Sequence, residues 1–367
     1  MESLSLVTQP PMPDQPRPIV IIGAGGIIND AHLPAYRKAN FPVAGIFDIN
    51  PEQARKAAQA FGVSTVYASL EAAVNSAPPE AVFDIAVPAS AILKILPHLP
   101  EGRGVLIQKP MGENLADAAA IRDLCHAKHL KAGINFQLRY APFVLAARSL
   151  IEQRAIGQLH DMEVRITAQT PWHLWKFFET VPFVEIIYHS IHYLDLMRSF
   201  LGEPKGVYCK SVRHPKASKI DGTSSDYALD YGDFMRSVIT TNHHHEYGLK
   251  HQESYIKWEG SQGAVKAKMG LMLNYPKGVP DEFEYCVLEE GKPPTWQSVQ
   301  IEGTWFPDAF IGTMASIMRA VEGSADCIPT SVDDAYKTMA LVDAACRSSQ
   351  AGGTPFTAVA DLDPTRC

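Results

Sequence analysis

Two short stretches of this 367-residue chain carry side chains suited to moving a proton. Gln108-Lys109-Pro110 begins on the last residue of a run over residues 104–108 that reads as a strand, so Lys109 falls where that strand runs out. A free lysine keeps its proton up to a pKa near about 10.4. Partial desolvation beside a cationic ring lowers it, and the amine can then bind a substrate hydroxyl and pass or stabilise its proton. On the tripeptide alone, a solvated lysine at a strand end is the simpler reading. The second stretch, residues 185–201, is periodic as a helix, stopped by Gly202 and Pro204. Ile187, Ile191, Leu194 and Leu201 make its core stripe. Tyr188, His192 and Asp195 share another face, with Glu185 and His189 one turn apart beside it. An imidazole titrating near neutrality is suited to remove a hydroxyl proton while hydride leaves carbon. Histidines on a buried helix are also common as satisfied core residues.

The elements that must position these groups begin at residue 18. Residues 18–22 are a short β-branched run, followed by Gly23-Ala24-Gly25-Gly26-Ile27-Ile28 and a helix-compatible stretch through residue 39. A second apolar run, residues 43–47, ends on Asp48. Strand, glycine turn, helix, strand and terminal acid within about 30 residues form a dinucleotide-binding fingerprint. Gly23 permits the tight turn and Gly25 lets backbone approach a pyrophosphate, whose charge the amides of Gly26, Ile27 and Ile28 face. Ile28 stands at the third glycine position. Asp48 can accept from both adenine-ribose hydroxyls and repels a 2′-phosphate. With no Arg or Lys at 49 or 50, NAD is expected over NADP.

Further apolar runs alternate with helical periods. Residues 51–61, 92–99 and 115–129 read as helices; residues 82–87, ending at Pro88, and 130–136 read as strands. Such alternation predicts a doubly wound parallel sheet, whose ligands lie beyond the carboxyl ends of the strands. Gly25, Asp48, Pro88, Gln108 and Lys109 all fall there. The second half changes character. Residues 142–155 read as a helix and 159–168 as a strand. Strand-like pieces follow near 206–213, 227–240, 252–258, 263–270 and 283–289, and residues 309–322 and 331–349 read as closing helices. Runs of strands without helices between them predict a mostly antiparallel sheet. The expected division is a flexible, proline-rich tail (1–17), a nucleotide-binding domain (18–140) and a substrate-binding domain (141–367).

Composition narrows the classes. With 46% hydrophobic and 20% charged residues and a net charge of −7, the chain reads as globular and not as a nucleic-acid binder. Nothing approaches a membrane span, and residues 1–17 lack the apolar core of a signal peptide. Cysteines at 125, 209, 286, 327, 346 and 367 form no CxxC pair, which suggests a reducing, cytoplasmic setting without a disulfide framework. His243-His244-His245, with His251 nearby, invites a metal reading. Consecutive strand residues point to opposite faces, however, so no metal is expected. Trp172 and Trp175 can wall a sugar site or simply pack. Arg139, Arg165 and Lys176 are candidate partners for an acidic substrate.

Taken in order, Gly23-Ala24-Gly25-Gly26 with His32-Leu33-Pro34-Ala35, Asp48, Gln108-Lys109-Pro110, Arg139-Tyr140-x-Pro142, His192-Tyr193-Leu194-Asp195 with Leu201-Gly202-Glu203-Pro204, and Ile328-Pro329 with Asp333-Asp334-Ala335 resemble the glucose–fructose oxidoreductase/inositol dehydrogenase family, Gfo/Idh/MocA. The resemblance covers roughly residues 18–358. It implies an α/β Rossmann domain plus a C-terminal α+β domain whose large open sheet often forms oligomer contacts, here a dimer or tetramer. It also implies NAD(P)-linked chemistry on a sugar, sugar acid or cyclitol carbon. The family's Glu-Lys-Pro falls on Gln108-Lys109-Pro110, keeping the lysine but not the glutamate, and its acid–base histidine falls on His192. The aspartate that partners this histidine, four residues earlier, falls on Tyr188, leaving Glu185 or His189 as substitutes. The loop after Val87 lacks the family's asparagine–histidine continuation. Two rivals stay open: a non-catalytic dinucleotide-binding regulator of the same fold, and an enzyme that recycles tightly held NAD during isomerisation or elimination.

Overall fold

A computed structural model describes residues 4–354; residues 1–3 and 355–367, Cys367 among them, lie outside it. Strands β1 (Ile19–Ile22), β2 (Val43–Phe47), β3 (Val82–Ile85), β4 (Gly104–Ile107) and β5 (Lys131–Ile134) form a parallel sheet in the order β2-β1-β3-β4-β5. Every residue of β1, β3 and β4 is buried, as strands covered on both faces must be. Helices α1 (Leu33–Lys38), α2 (Pro51–Phe61), α3 (Leu70–Asn75), α4 (Ile92–Ile95) and α5 (Leu115–Ala127) connect them. Asn50 caps α2 by accepting from the Glu52 amide, Pro51 opens it, and Gly62 ends it at φ 72°. The strand order reverses between β1 and β3, and the crevice above that point is where such sheets take ligands.

The second sheet has eight strands: β6 (Leu159–Thr167), β7 (Gly206–Val212), β8 (Ser224–Asp230), β9 (Arg236–Asn242), β10 (Glu253–Gly260), β11 (Gly263–Lys268), β12 (Glu282–Val287) and β13 (Gln297–Val299). Its order is β13-β12-β11-β10-β6-β9-β8-β7, antiparallel except where β6 pairs with β9. Burial alternates along these strands: in β8, Ser225, Tyr227 and Leu229 face inward while Asp226, Ala228 and Asp230 face out. Helices α6 (Pro142–Glu152), α7 (Ile191–Leu201) and α9 (Val332–Ala351) pack on the inner face, and α8 (Ala309–Glu322) lies elsewhere.

Four expectations need correction. Residues 227–240 are two strands, because Gly232, at φ 91°, turns the chain between β8 and β9. The helix over 185–201 begins as a π-helical turn, Glu185–Ser190, and only then becomes α7. The described part of the 1–17 segment is laid down along the protein. Amides of Ser5 and Val7 donate to Gln153, just past α6, and to Ser149 on it, and those of Asp14 and Gln15 donate to Glu322 on α8. Its prolines pre-extend the chain, so ordering it costs less conformational entropy. Finally, α8 belongs to the first sheet although it falls within 141–367. Phe310, Met314, Ile317 and Met318 share a core with Ile19, Ile21 and Leu106. Gly104 on β4 and Gly133 on β5 make room for it: a Cβ at either would come within 3.0 Å of Ile317.

Candidate active site

The glycine turn joins β1 to a π-helical turn, Ile28–His32, that continues into α1. Gly23 has φ 104°, and a Cβ there would lie 2.2 Å from the Ala86 carbonyl oxygen, just past β3. Only glycine fits that contact. Gly25 is the opposite case, since nothing lies within 4 Å of where its Cβ would be. The space beside it is a cleft of about 330 Å³ lined by Ala24, Gly25, Gly26, Asn29, Gln53 and Lys56. Asp48 accepts from the amides of Ala24 and Asn50, each at 2.7 Å, and so ties the end of β2 to the glycine turn. Asn29 braces the turn from within, donating to the carbonyls of Ala24 and Gly25. Ile28 departs from its predicted part. Its side chain is fully buried in the core and its amide donates to the Gly25 carbonyl, so it presents nothing to a ligand. Ile27 is only partly buried, and Pro88 is exposed two residues beyond Ala86. An open cradle above Gly25, a cation at Lys56 and a carboxylate at Asp48 fit a dinucleotide. Asn29 and Lys56 are additions that the fingerprint alone did not signal.

Gln108 is anchored by a buried polar chain. Asn135 Nδ2 donates to its Oε1 at 2.8 Å, and Thr313 on α8 donates to Asn135 Oδ1 at 2.9 Å. Asn135 also lies 3.2 Å from His32 Nε2, whose Nδ1 is 2.7 Å from Asp84; Tyr36 donates to the same carboxylate. These partners put the His32 proton on Nδ1. Asp84, in the middle of β3, would be prohibitively costly to bury without them.

Lys109, half-buried, donates through Nζ to the Tyr188 carbonyl at 2.9 Å. The amine of the first unit thus enters the π-helical turn of the second. Burial pushes its pKa down to about 8. His192 is 7% exposed, its Nδ1 has no partner among the described residues, and the Trp305 ring stands edge-on 5.9 Å away. Its imidazole is held well below its ordinary 6.5 by burial and then by the Lys109 charge. His189 is depressed likewise, by burial, then His243, Lys109 and His192. The Lys109 charge thus lowers both imidazoles, and His192 adds to the effect on His189. Both imidazoles are therefore neutral at pH 7 and able to accept a proton.

The remaining candidates divide. Trp172 lies beside His189, ring centres 5.5 Å apart, and its indole N–H donates to His244 Nδ1. Trp175 packs against Phe178 and Tyr275. Glu185 is fully buried behind the turn, against Ser190, Tyr227 and His243. The tyrosine at 188 turns its ring to Phe177 and Phe178. Arg139 and Asp195 are taken up inside the protein. They bind each other through two contacts of 2.6 Å, and Asp334, the Pro329 carbonyl and Thr338 complete the cluster. The sequence placed Asp195 on a polar face, but every residue of α7 from Ile191 to Arg198 is buried, so its carboxylate needed an internal cation. Arg165 is spent on Glu253 across the outer sheet face, and Lys176 is exposed. The three histidines after β9 diverge: His243 faces His189, His244 stacks on His214, and His245 meets Tyr247.

Comparison with known proteins shows the family of the chain. Residues 17–136 match the oxidoreductase family with an NAD-binding Rossmann fold, and residues 144–304 match the GFO/IDH/MocA C-terminal domain. Inositol 2-dehydrogenase of Rhizobium meliloti is 24% identical over 89% of this chain and 95% of its own length. D-apiose dehydrogenase of Paraburkholderia graminis is 23% identical over 91% and 88%. The fold superposes on an oxidoreductase from Agrobacterium radiobacter, solved with NAD⁺, L-tartaric acid and magnesium, with TM-score 0.73 and 20% identity, covering 92% of this chain and 97% of that one. The chain belongs to the Gfo/Idh/MocA family of NAD-binding oxidoreductases.

Proposed function

We propose that the protein is an NAD-dependent dehydrogenase that oxidises a carbinol carbon of a monosaccharide or cyclitol. The observation that carries this is the 2.9 Å contact from Lys109 of the first unit to the histidine turn of the second. In this reading Asp48 receives the adenine-ribose hydroxyls and the glycine turn receives the pyrophosphate. The acid at 48, followed by Ile49 and Asn50, favours NAD over NADP. Bound NAD supplies the hydride acceptor. His192, neutral at pH 7, takes the hydroxyl proton. Lys109 holds the same oxygen and stabilises its developing charge. Trp172 walls the pocket on the far side. With Arg139 spent on two carboxylates and Arg165 on another, an uncharged polyol is favoured over a sugar acid.

The relatives' names, inositol 2-dehydrogenase and D-apiose dehydrogenase, support a polyol substrate. The outer face of the eight-stranded sheet, where Arg236, Lys257 and Tyr255 meet Glu163 and Arg165 meets Glu253 across neighbouring strands, is our candidate for contacts in a homodimer or tetramer. The test is to incubate the protein with NAD and a panel of neutral sugars, cyclitols and sugar acids and follow the absorbance of reduced nicotinamide. Turnover with a neutral polyol is expected. NAD binding without turnover on any of them would replace this reading with that of a non-catalytic regulator.

A further inference from the structure

The position four residues before His192 holds a tyrosine, and the structure offers a carboxylate elsewhere. Tyr188 gives Lys109 only its backbone carbonyl. Glu185, in the same π-helical turn, is wholly buried. Its Oε1 accepts from Ser190 Oγ at 2.9 Å and lies 3.5 Å from His243 Nε2, and its Oε2 is 3.5 Å from the Tyr227 hydroxyl. His243, also wholly buried, meets Thr170 Oγ1 at 3.1 Å through Nδ1. Its ring lies 4.4 Å from that of His189, tilted by 35°. Lys109 binds the carbonyl of Tyr188, the residue before His189.

A carboxyl group buried this deeply needs polar partners. The groups facing it are Ser190 and Tyr193 from the helix, Tyr227 and Cys209 from the sheet, and His243. Of these, His243 presents its buried Nε2, without a hydrogen-bond partner among the described residues, 3.5 Å from Oε1. The groups facing His243 are Glu185, His189, Thr170 and the Trp172 ring.

We propose that Glu185 and His243 form a carboxylate–imidazole pair that holds the His189 ring beside the carbonyl that Lys109 binds. They are positioning residues, and the proposal rests on the dehydrogenase reading above. When His192 takes the hydroxyl proton, the row of histidines gains one positive charge. The Glu185 carboxylate is the buried anion at the row's far end, and no proton needs to reach it.

The test has two arms. The first uses the unaltered full-length chain: ¹⁵N-histidine NMR at pH 7 should find the His243 proton on Nε2, pointing at Glu185. A bare Nε2 overturns the proposal whether or not any substrate is turned over. The second compares Glu185→Gln and Glu185→Asp. Loss of the charge in the Gln variant should lower kcat about 10- to 100-fold, the scale seen when a group orienting a functional imidazole is lost. It should also move the acidic limb of the kcat/KM profile to lower pH, because the histidines lose a stabilising anion. The Asp variant should restore the limb. A merely structural Glu185 would leave the limb in place while lowering activity equally at every pH, and that result would also overturn the pair. Failure of the parent enzyme on every substrate strikes the dehydrogenase reading, whereas the NMR arm judges the pair independently.

Discussion

In the first unit the candidate residues follow β1, β2, β3 and β4, one set per turn, so chain order and spatial order agree. In the second, His192 and His189 come from a helix start, His243 from the end of β9, Trp172 from a loop and Trp305 from beyond β13. The first arrangement follows from the sheet itself, since parallel strands deliver their ends to one edge. The second exists only once side chains from distant segments have packed. A cofactor cradle can therefore be read locally, while a proton-handling pocket depends on which partners tertiary structure supplies.

Substitutions can press on that difference, and the largest effect belongs to the contact where the two halves meet. Lys109→Met should reduce kcat/KM by about 10²- to 10⁴-fold with NAD affinity within a few fold of normal, read by steady-state kinetics and calorimetry. Unchanged turnover would remove the lysine from the mechanism. Next, Arg139→Met leaves Asp195 buried without its cation and should cost about 3–5 kcal/mol of stability in denaturant unfolding, with KM unchanged in the folded fraction. A raised KM at full stability would return Arg139 to the substrate.

The two glycines of the turn make a paired comparison. Gly23→Ala strains a left-handed residue against the Ala86 carbonyl and should destabilise the protein by about 1–3 kcal/mol. Gly25→Ala meets open space, so stability should hold while NAD binds about tenfold more weakly. Equal stability losses would place a structural neighbour, not a ligand, above Gly25.

The smallest effect is on pH. His189 and His192 titrate well below 6.5 when folded. Just below that pH the unfolded chain binds protons that the folded chain refuses, so stability should fall as pH drops through this window. A thermal-melt series between pH 7 and 5 should show this, and His192→Asn should flatten part of the slope. A slope unaffected by that change would assign the dependence to other groups.

Much of this was legible beforehand. The glycine turn and Asp48 announce themselves by spacing, Lys109 through the resemblance, and α2, α5 and α8 by periodicity. Asp84 was legible too, had its place inside an apolar strand been treated as a demand for a partner; His32, four residues before Tyr36, was already in the resemblance. What could not be read was the π-helical start at Glu185. One extra residue in a turn rotates every side chain after it, and nothing in the composition marks it. His243 was hidden for a different reason: weighed only as a metal ligand, it proved to be a neighbour of His189.

The docking of α8 on the first sheet bears on how the molecule is made. A ribosome releases β1–β5 well before it has translated residues 309–322, which supply part of their covering. Until then the apolar floor around Ile19, Ile21 and Leu106 stays open on one side, a surface for chaperones to hold and for aggregation to exploit. The nucleotide cradle, encoded first, is thus among the last parts of the molecule to be finished.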